Sequence, residues 1–526
     1  MATRKEQLDA FNFARRRLVA NLVVPTATGS DEGAPRPVKT FATSIILSAL
    51  AVVAVMVLGV FKPSAPSGWQ DGLAVDSSTG AAYITQNNEL HAVYNITSAR
   101  LILGTKFAKY DVPDSTLNSS GVTIGSPVGI LGAPEDVPAA GNVNLTQWSF
   151  CQYENIASGA DKPGGQTYLE VGYWPTESTT QGLWTKDSGQ ALIVHDTAED
   201  VYLIDGDYKY YIGNESSESS YVQSILRAIN QNSAFPTDVT GFWVSDAWLS
   251  AFTGGSKITF PKLDLNGSVT TSPKQPGDKV GEYGQIGTGN AAIDVVQTAN
   301  GVVELSPFAY NLYVTNGGLN ESGVSQFPAG TLTQSAITEA NSSSTPKPED
   351  VFETNSYGTD WPTLPPSLVG TDTSSPTTQD ICVGYTGQSD DNTPELTTWV
   401  SSQLPYGTPG EQFGLSQTGS NAEAGTVLIK PGYGLIAKRT GGGAEYLIED
   451  SGFRYPLVSG TVSVAGASPS PSASATGSQP SPVSAITQLG YSDVAPETVP
   501  MSWLGLLQGG AQLDPGKAGQ TPQSGS

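Results

Sequence analysis

The segment VSDAWLSAFTGGSKI (244–258) returns near the end of the chain as VPMSWLGLLQGGAQL (499–513), and this pair decides the fold. The apolar positions recur at offsets 0, 4, 5 and 8 in both copies, which is typical of one face of an α-helix. The double glycine that follows predicts a helix stop with a positive φ available. We therefore expect a short helix in each copy, with the core of the repeat formed by Trp248, Leu249, Trp503 and Leu504.

Matching strands precede both helices. Residues 201–205, followed by YKYYI, correspond to residues 445–449, followed by FRYPL. Further upstream, ALI at 191–193 is matched with VLI at 427–429. The β-branched and aromatic content of these runs indicates β-strands.

The same pattern recurs more weakly elsewhere in the chain. One weaker copy begins with AAYI at residue 81 and includes VPDSTL at 112–117, and a faint fourth copy lies around 302–314. Repeated units of this kind must share a core. The sequence predicts a large mixed α/β domain over 62–526 built from β-β-α repeats, with copies at about 78–138, 188–261 and 425–518.

An apolar run, TFATSIILSALAVVAVMVLGVF (40–61), contains no charged residue. A helix of this length reaches roughly 33 Å, and a bilayer core is about 30 Å thick. The run predicts a single transmembrane helix. A cleaved signal peptide is the alternative, but it would have a shorter apolar core and a shorter basic lead.

Basic residues determine the predicted orientation of this helix. Residues 1–39 hold seven basic and four acidic side chains, a net charge of +3, and since the whole chain carries −24, residues 40–526 carry −27. The positive-inside rule predicts a cytoplasmic N-terminus and an extracytoplasmic C-terminal domain in the cell (inner) membrane. The residues that set this topology are Arg15, Arg16, Arg17, Arg36 and Lys39.

A cytoplasmic helix is predicted before the membrane, followed by a linker up to residue 39. Thr3 and Glu6 fit a capping box. Four apolar residues then recur on one face, interrupted by Arg15, and form a candidate docking face: Leu8, Phe11, Leu18 and Leu22. Such a helix could bind a partner or the inner leaflet, or could remain solvated and only enforce topology.

The large part of the chain is acidic, and the whole chain has a sequence pI near 4.3. An acidic surface repels nucleic acid, so no nucleic-acid partner is expected. The two cysteines, Cys151 and Cys382, lie on the predicted exterior side. An oxidising compartment favours one disulfide between them, and two buried free thiols are the alternative. No spacing suited to a metal site is present, and neither a metal nor a cofactor is expected.

Catalytic motifs are nearly absent. His195 and Asp196 are neighbours, but no G-x-S-x-G elbow accompanies them, and the chain has neither HExxH nor a Walker A loop. Gly287–Ala292 fits G-x-G-x-x-A without a preceding hydrophobic strand, so a turn is expected there. Residues 468–483 are Ser/Pro-rich and predict a disordered insertion. The tryptophans of the repeated helices could bind carbohydrate, although core packing is favoured.

Several motifs resemble the EccB family, a core membrane component of actinobacterial type VII (ESX) secretion systems. They are FARRRLVANL (13–22), FKPSAPSGW (61–69), YNITSARLILG (94–104), GAPEDVP (132–138) and the C-terminal run 489–518. The resemblance implies one anchor helix, a periplasmic repeat domain around a central region, and a disulfide that Cys151 and Cys382 would supply. It also implies assembly with EccC, EccD and EccE and contact with the mycosin protease. The insertion at 468–483 and the Gln508–Gly510 triplet depart from the family pattern.

Two functions remain at this point. The first is a structural, non-catalytic subunit that joins cytoplasmic motor or channel subunits to an oligomeric scaffold outside the membrane. The second is a membrane-anchored protein that binds or hydrolyses cell-wall glycans. ATPase activity is sometimes attributed to the family, but no phosphate-binding loop is visible in this sequence.

Overall fold

The computed structural model describes most of the chain outside its polar spacers. The described residues are 3–23, 37–60, 65–86, 89–119, 121, 123–154, 167–174, 180–185, 188–230, 241–264, 280–286, 292–298, 301–315, 347–369, 379–388, 394–401, 425–462 and 482–522. Arg36 and nearly all of the predicted Ser/Pro insertion lie outside them. Val483, the last residue of that insertion, begins a short strand.

Eleven helices and twenty-seven strands lie in the described residues. The helices are α1 (Arg4–Val23), α2 (Pro37–Val60), α3 (Ile96–Leu103), α4 (Asp114–Ser119), α5 (Glu215–Ile229), α6 (Asp246–Ser250), α7 (Pro307–Thr315), α8 (Pro348–Val351), α9 (Ala485–Leu489), α10 (Met501–Gly505) and α11 (Pro515–Ala518).

The strands follow in chain order. They are β1 (Leu73–Asp76), β2 (Ala82–Gln86), β3 (Glu89–Ala92), β4 (Lys109–Val112), β5 (Thr123–Ile124), β6 (Trp148–Glu154), β7 (Thr167–Val171), β8 (Thr180–Trp184), β9 (Gln190–His195), β10 (Asp200–Asp205), β11 (Tyr208–Asn214), β12 (Phe242–Trp243), β13 (Thr253–Gly254), β14 (Tyr283–Ile286), β15 (Ile293–Thr298), β16 (Gly301–Glu304), β17 (Ser367–Val369), β18 (Gln379–Gln388), β19 (Pro394–Ser401), β20 (Thr426–Ile429), β21 (Gly434–Arg439), β22 (Glu445–Glu449), β23 (Phe453–Leu457), β24 (Ser459–Gly460), β25 (Val483–Ser484), β26 (Glu497–Val499) and β27 (Gln508–Gly509).

Three sheets share one five-strand topology. Their strand orders are β4-β1-β2-β3-β5, β12-β9-β10-β11-β13 and β26-β21-β22-β23-β27, and the second sheet has a sixth strand, β17, which pairs in parallel with β9. In each, three antiparallel strands form a meander, one parallel strand joins the first strand, and another joins the third. We call these sheets with their helices the first unit (73–124), second unit (190–254) and third unit (434–509). The unit is longer than the predicted β-β-α pattern, because it has a third meander strand and two parallel edge strands.

One predicted correspondence is wrong. Ala191, Leu192 and Ile193 lie in β9, the first strand of the second unit, but Val427, Leu428 and Ile429 lie in β20, which pairs with β7 in another sheet. The true counterpart of β9 is β21, which forms a hairpin with β22. Both runs are short, apolar and buried, so composition cannot distinguish them, and only the hairpin partner does.

A central six-stranded sheet, in the order β20-β7-β6-β18-β19-β8, joins distant parts of the chain. Cys151 on β6 lies directly opposite Cys382 on β18. The two form a disulfide with an S–S distance of 1.99 Å and a Cα–Cα distance of 4.0 Å. The intervening chain contains the second unit and a three-stranded sheet, β14-β15-β16, followed by α7.

Alternate residues of a strand point to opposite faces of its sheet. The two faces of one sheet can therefore contribute to two different hydrophobic cores, each shared with a neighbouring sheet. In the third unit, Leu435 and Ala437 pack with the second unit and the central sheet, whereas Ile436 packs with the first unit. In the second unit, Ile193 faces the core shared with β15 and α7. The third unit therefore lies between the first and second units, and coverage on both faces explains why strands such as ALIV in β9 are continuously apolar.

The double glycines serve a different purpose from the one predicted. None of Gly254, Gly255, Gly509 and Gly510 has a φ in the left-handed region. A Cβ on Gly255 would lie 2.4 Å from the Tyr210 ring, and one on Gly510 would lie 2.4 Å from the Tyr455 ring, whereas Gly254 and Gly509 have open space. The second glycine of each pair is required by the close approach of a ring, and the first is not.

Helix α2 contains most of the predicted anchor at 40–61, and its side chains are described for residues 41–55. Within the described part of the chain, no helix has the length and apolar content that crossing a membrane requires.

Candidate functional surfaces

Helix α1 exposes the four apolar residues predicted to form a docking face. Leu8, Phe11, Leu18 and Leu22 are 60%, 65%, 73% and 87% exposed. At 3.6 residues per turn they fall within an arc of about 80°, with Arg15 inside it. The described side chains on the other sides of α1 are exposed as well, including Phe13 at 63%.

The predicted capping box at the start of α1 would have two hydrogen bonds between Thr3 and Glu6, and the structure shows one of them. The Thr3 backbone N–H donates to Glu6 Oε2 at 2.7 Å. This hydrogen bond stabilises the carboxylate and lowers the pKa of Glu6. A hydrogen bond from the backbone N–H of the cap residue to the side chain of the third helical residue satisfies one of the free amides at the helix N-terminus.

The two repeated helices, α6 and α10, meet at the seam between the second and third units. Trp248, Leu249, Trp503 and Leu504 are all buried in one core. The Trp503 indole Nε1 donates to the Ala251 carbonyl at 3.2 Å, which joins the two units directly. These tryptophans have no exposed face, so they cannot line a carbohydrate groove.

A basic residue caps each repeated helix. Lys209 Nζ donates to the Leu249 carbonyl at 2.8 Å, and Arg454 Nη1 donates to the Leu504 carbonyl at 2.6 Å. Burial lowers the pKa of Lys209. Sequence analysis missed this contact, although aligning YKYYI with FRYPL places the two cations at the same position.

A half-buried carboxyl group lies where the third unit meets the central sheet. Trp148 Nε1 donates to Glu497 Oε2 at 3.2 Å, and the Tyr385 hydroxyl donates to the Thr498 carbonyl at 2.5 Å. Burial raises the pKa of Glu497 to about 8, partly offset by the hydrogen bond from Trp148. This carboxyl group therefore keeps its proton to a higher pH than a free glutamic acid does.

The disulfide face of the central sheet carries two buried carboxyl groups, Glu170 and Asp380. Burial raises the pKa of Asp380 to about 7. Glu170 pairs across the sheet with Ser149, which pairs with Gly384, four residues from Asp380. Strand spacing and rise then separate the two Cα atoms by roughly 16 Å. The carboxyl groups of a glycosidase lie about 5–9.5 Å apart, and the backbone of this pair is not placed for that.

His195 is held by structural contacts. Its Nδ1 lies 3.1 Å from Glu215 Oε2, and its Nε2 accepts a hydrogen bond from the Gly241 N–H at 2.9 Å. The contact with His195 lowers the pKa of Glu215. The Nε2 lone pair is used by the Gly241 N–H and Nδ1 faces Glu215, so His195 is not placed as the base of a hydrolase triad. In the described ranges, no three His, Cys, Asp or Glu side chains are grouped to hold a metal ion.

A family model described as "Type VII secretion system ESX-1, transport TM domain B", that of EccB, matches residues 1–523. The chain belongs to the EccB family. This result confirms the resemblance found in the N-terminal and C-terminal motifs. A relative in Mycobacterium tuberculosis, the ESX-3 secretion system ATPase EccB3, is 24% identical over 482 residues, which cover 88% of this chain and 82% of the relative.

Solved structures share the EccB fold. A chain of an intact ESX-5 inner membrane complex matches with a TM-score of 0.59 and 18% identity, covering 98% of this chain and 95% of that one. A chain of an EccB3 dimer from the ESX-3 core complex matches with a TM-score of 0.57 and 19% identity, covering 85% and 99%. The predicted mixed α/β class is thereby confirmed.

Proposed function

We propose that this EccB-family chain is a structural, non-catalytic subunit of a type VII secretion membrane complex. It links cytoplasmic motor or channel subunits to an oligomeric scaffold outside the membrane. The observation that carries this proposal is the family match over nearly the whole chain. The shared cores between units give the scaffold its rigidity, since each inner sheet is covered on both faces.

The proposed topology is a single pass with the N-terminus in the cytoplasm. The uncharged run at 40–61 supplies the anchor, and the basic residues before it, including Arg36 and Lys39, supply the orientation. The disulfide between Cys151 and Cys382 supports an oxidising location for the large domain.

The proposed partners are EccC-, EccD- and EccE-like subunits, a mycosin-type protease and further copies of this chain. The exposed apolar face of α1 supports a cytoplasmic partner. The descriptions of similar chains as parts of an ESX-5 inner membrane complex and of an EccB3 dimer support assembly.

We propose that this chain does not hydrolyse ATP, although its curated relatives carry the word ATPase in their names. The sequence has no G-x-x-x-x-G-K-[ST] loop; Gly516–Lys517 is followed by Ala518 and lacks the upstream glycine. The purified chain should release no phosphate from ATP above a preparation that lacks it.

Copurification after mild detergent extraction tests the subunit role. The tagged chain should carry EccC-like and EccD-like subunits with it. Leu18→Glu combined with Leu22→Glu should abolish that recovery, because it places two charges on the exposed apolar face of α1. Phe13→Glu is the matched control, since Phe13 is 63% exposed and projects from the opposite side of the helix.

The outcomes separate the two functional classes. Recovery of the chain alone, with no secretion subunit, would refute the structural role. Sedimentation of the purified chain with peptidoglycan, lost on substituting exposed aromatic residues, would instead support the glycan-binding alternative. Equal loss in the α1 pair and in Phe13→Glu would remove α1 as a specific docking face.

A further inference from the structure

The first unit carries a histidine where the other two carry a tyrosine. His91 takes the position of Tyr210 and Tyr455, and its ring lies against Gly125 as their rings lie against Gly255 and Gly510. A Cβ on Gly125 would lie 2.3 Å from His91 Cε1. The ring is 1% exposed, so its orientation is fixed by packing.

The hydrogen bonding of His91 leaves one nitrogen with a free lone pair. Nδ1 lies 2.8 Å from the Ser126 carbonyl oxygen. A carbonyl can only accept, so Nδ1 carries the hydrogen and the neutral ring presents its lone pair at Nε2. Nε2 is buried and has no hydrogen-bond partner. Metal-binding histidines are commonly oriented in this way, with the other nitrogen donating to a backbone carbonyl.

Two oxygen ligands lie on the same face of the β2–β3 hairpin. Glu89 Oε2 is 3.8 Å from His91 Nε2, and the Glu89 side chain is 43% exposed, so its carboxylate lies between the buried His91 ring and solvent. Gln86 lies directly opposite Glu89 in the ladder. Its Oε1 is buried and has no hydrogen-bond partner. Facing residues of an antiparallel pair have Cβ atoms about 4.5–5.5 Å apart.

We propose that His91, Glu89 and Gln86 form a binding site for a divalent transition-metal ion of the Zn²⁺ class. Imidazole nitrogen and carboxylate oxygen are ligands that Zn²⁺ accepts at about 2.0–2.2 Å. A tetrahedral ion at these distances separates its ligand atoms by about 3.3–3.5 Å, so a small rotation of the half-exposed Glu89 completes the pair. The amide oxygen of Gln86 and a water supply the remaining positions.

Zn²⁺ binding by the detergent-solubilised full chain tests the proposal. Isothermal titration should show one saturable site, with affinity reduced at least tenfold in His91→Tyr, which keeps a ring of the type found in the other two units. Glu89→Gln should give a similar loss without disturbing the core. Glu135→Gln removes an exposed carboxylate that follows the first unit in the chain and should leave the affinity unchanged.

A second measurement keeps the test valid if His91→Tyr fails to fold. Zn²⁺ should raise the thermal midpoint of the parent chain and not that of Glu89→Gln. His195 offers no free lone pair, because its Nε2 accepts a hydrogen bond from the Gly241 N–H and its Nδ1 therefore carries the hydrogen. Absence of saturable binding, or binding that survives both Glu89→Gln and Gln86→Leu, would overturn the proposal.

Discussion

Gly510 allows the sharpest test of how the repeat unit packs. Replacing it with alanine places a Cβ 2.4 Å from both Cδ1 and Cε1 of Tyr455 and 3.1 Å from Cζ. Tyr455 is 4% exposed, so its ring must retreat by about 1 Å into a filled core. Overpacking of this kind costs roughly 1–3 kcal/mol in the free energy of unfolding.

Gly509 is the matched control for this substitution. It precedes Gly510 directly, is the last residue of the edge strand β27, and has no heavy atom within 4 Å of a built Cβ. Neither glycine has a left-handed φ, so backbone strain does not distinguish them. Gly509→Ala should change the free energy of unfolding by less than about 0.5 kcal/mol.

The assay is urea unfolding of the purified chain, followed by resistance to a short pulse of protease. Gly510→Ala should unfold at lower urea than the parent chain, while Gly509→Ala should follow it. In a Tyr455→Leu background the ring is gone, so the added cost of Gly510→Ala should largely disappear in the double-mutant cycle. Equal effects of the two alanines, or a cost that persists without the ring, would refute the reasoning.

Three further perturbations follow from the contacts at the seams and in the central sheet. Glu497 keeps its proton in the folded state up to about pH 8 but loses it near pH 4.5 in the unfolded chain. The free energy of unfolding should therefore fall between these two pH values, by up to about 1.4 kcal/mol per pH unit. In Glu497→Gln the midpoint of urea unfolding should depend less on pH than it does in the parent chain. Replacing Cys151 and Cys382 together by serine should cost about 2–5 kcal/mol, and the unreduced, denatured parent chain should label with no thiol reagent. Arg454→Met leaves the buried Leu504 carbonyl without its donor and should cost about 1–3 kcal/mol in urea unfolding, whereas an unchanged midpoint would show that water replaces the guanidinium.

Local pattern was sufficient to find the repeated helices and the second and third meander strands of the second and third units. Trp248 and Trp503 could be assigned to the core because their helical spacing and apolar neighbours recur in both copies. The edge strands Thr253–Gly254 and Gln508–Gly509 could not be predicted, since two residues containing glycine have no strand propensity. They are strands only because each of them pairs in parallel with the third strand of its meander.

The wrong assignment of the double glycines has a related cause. Two glycines after a helix satisfy the local chemistry of a C-terminal cap. The rings that require the second glycine, Tyr210 and Tyr455, lie on a strand far upstream, and their approach exists only after the sheet forms. In both copies an aromatic residue on the third strand recurs together with the glycine pair, and this recurrence could have predicted the contact. It is visible only when the two distant segments are compared together.

The order of the units along the chain differs from their order in space. The third unit, closest to the C-terminus, covers one apolar face of the first unit through Ile436 and one face of the second unit through Leu435 and Ala437. Neither neighbour can bury those faces until the last quarter of the chain has been made. Such long-range contacts are slow to form, and the Cys151–Cys382 disulfide reduces the conformational search by joining the two halves of the central sheet. The disulfide and the third unit thus have the same effect: both hold together sheets whose partners are distant in sequence.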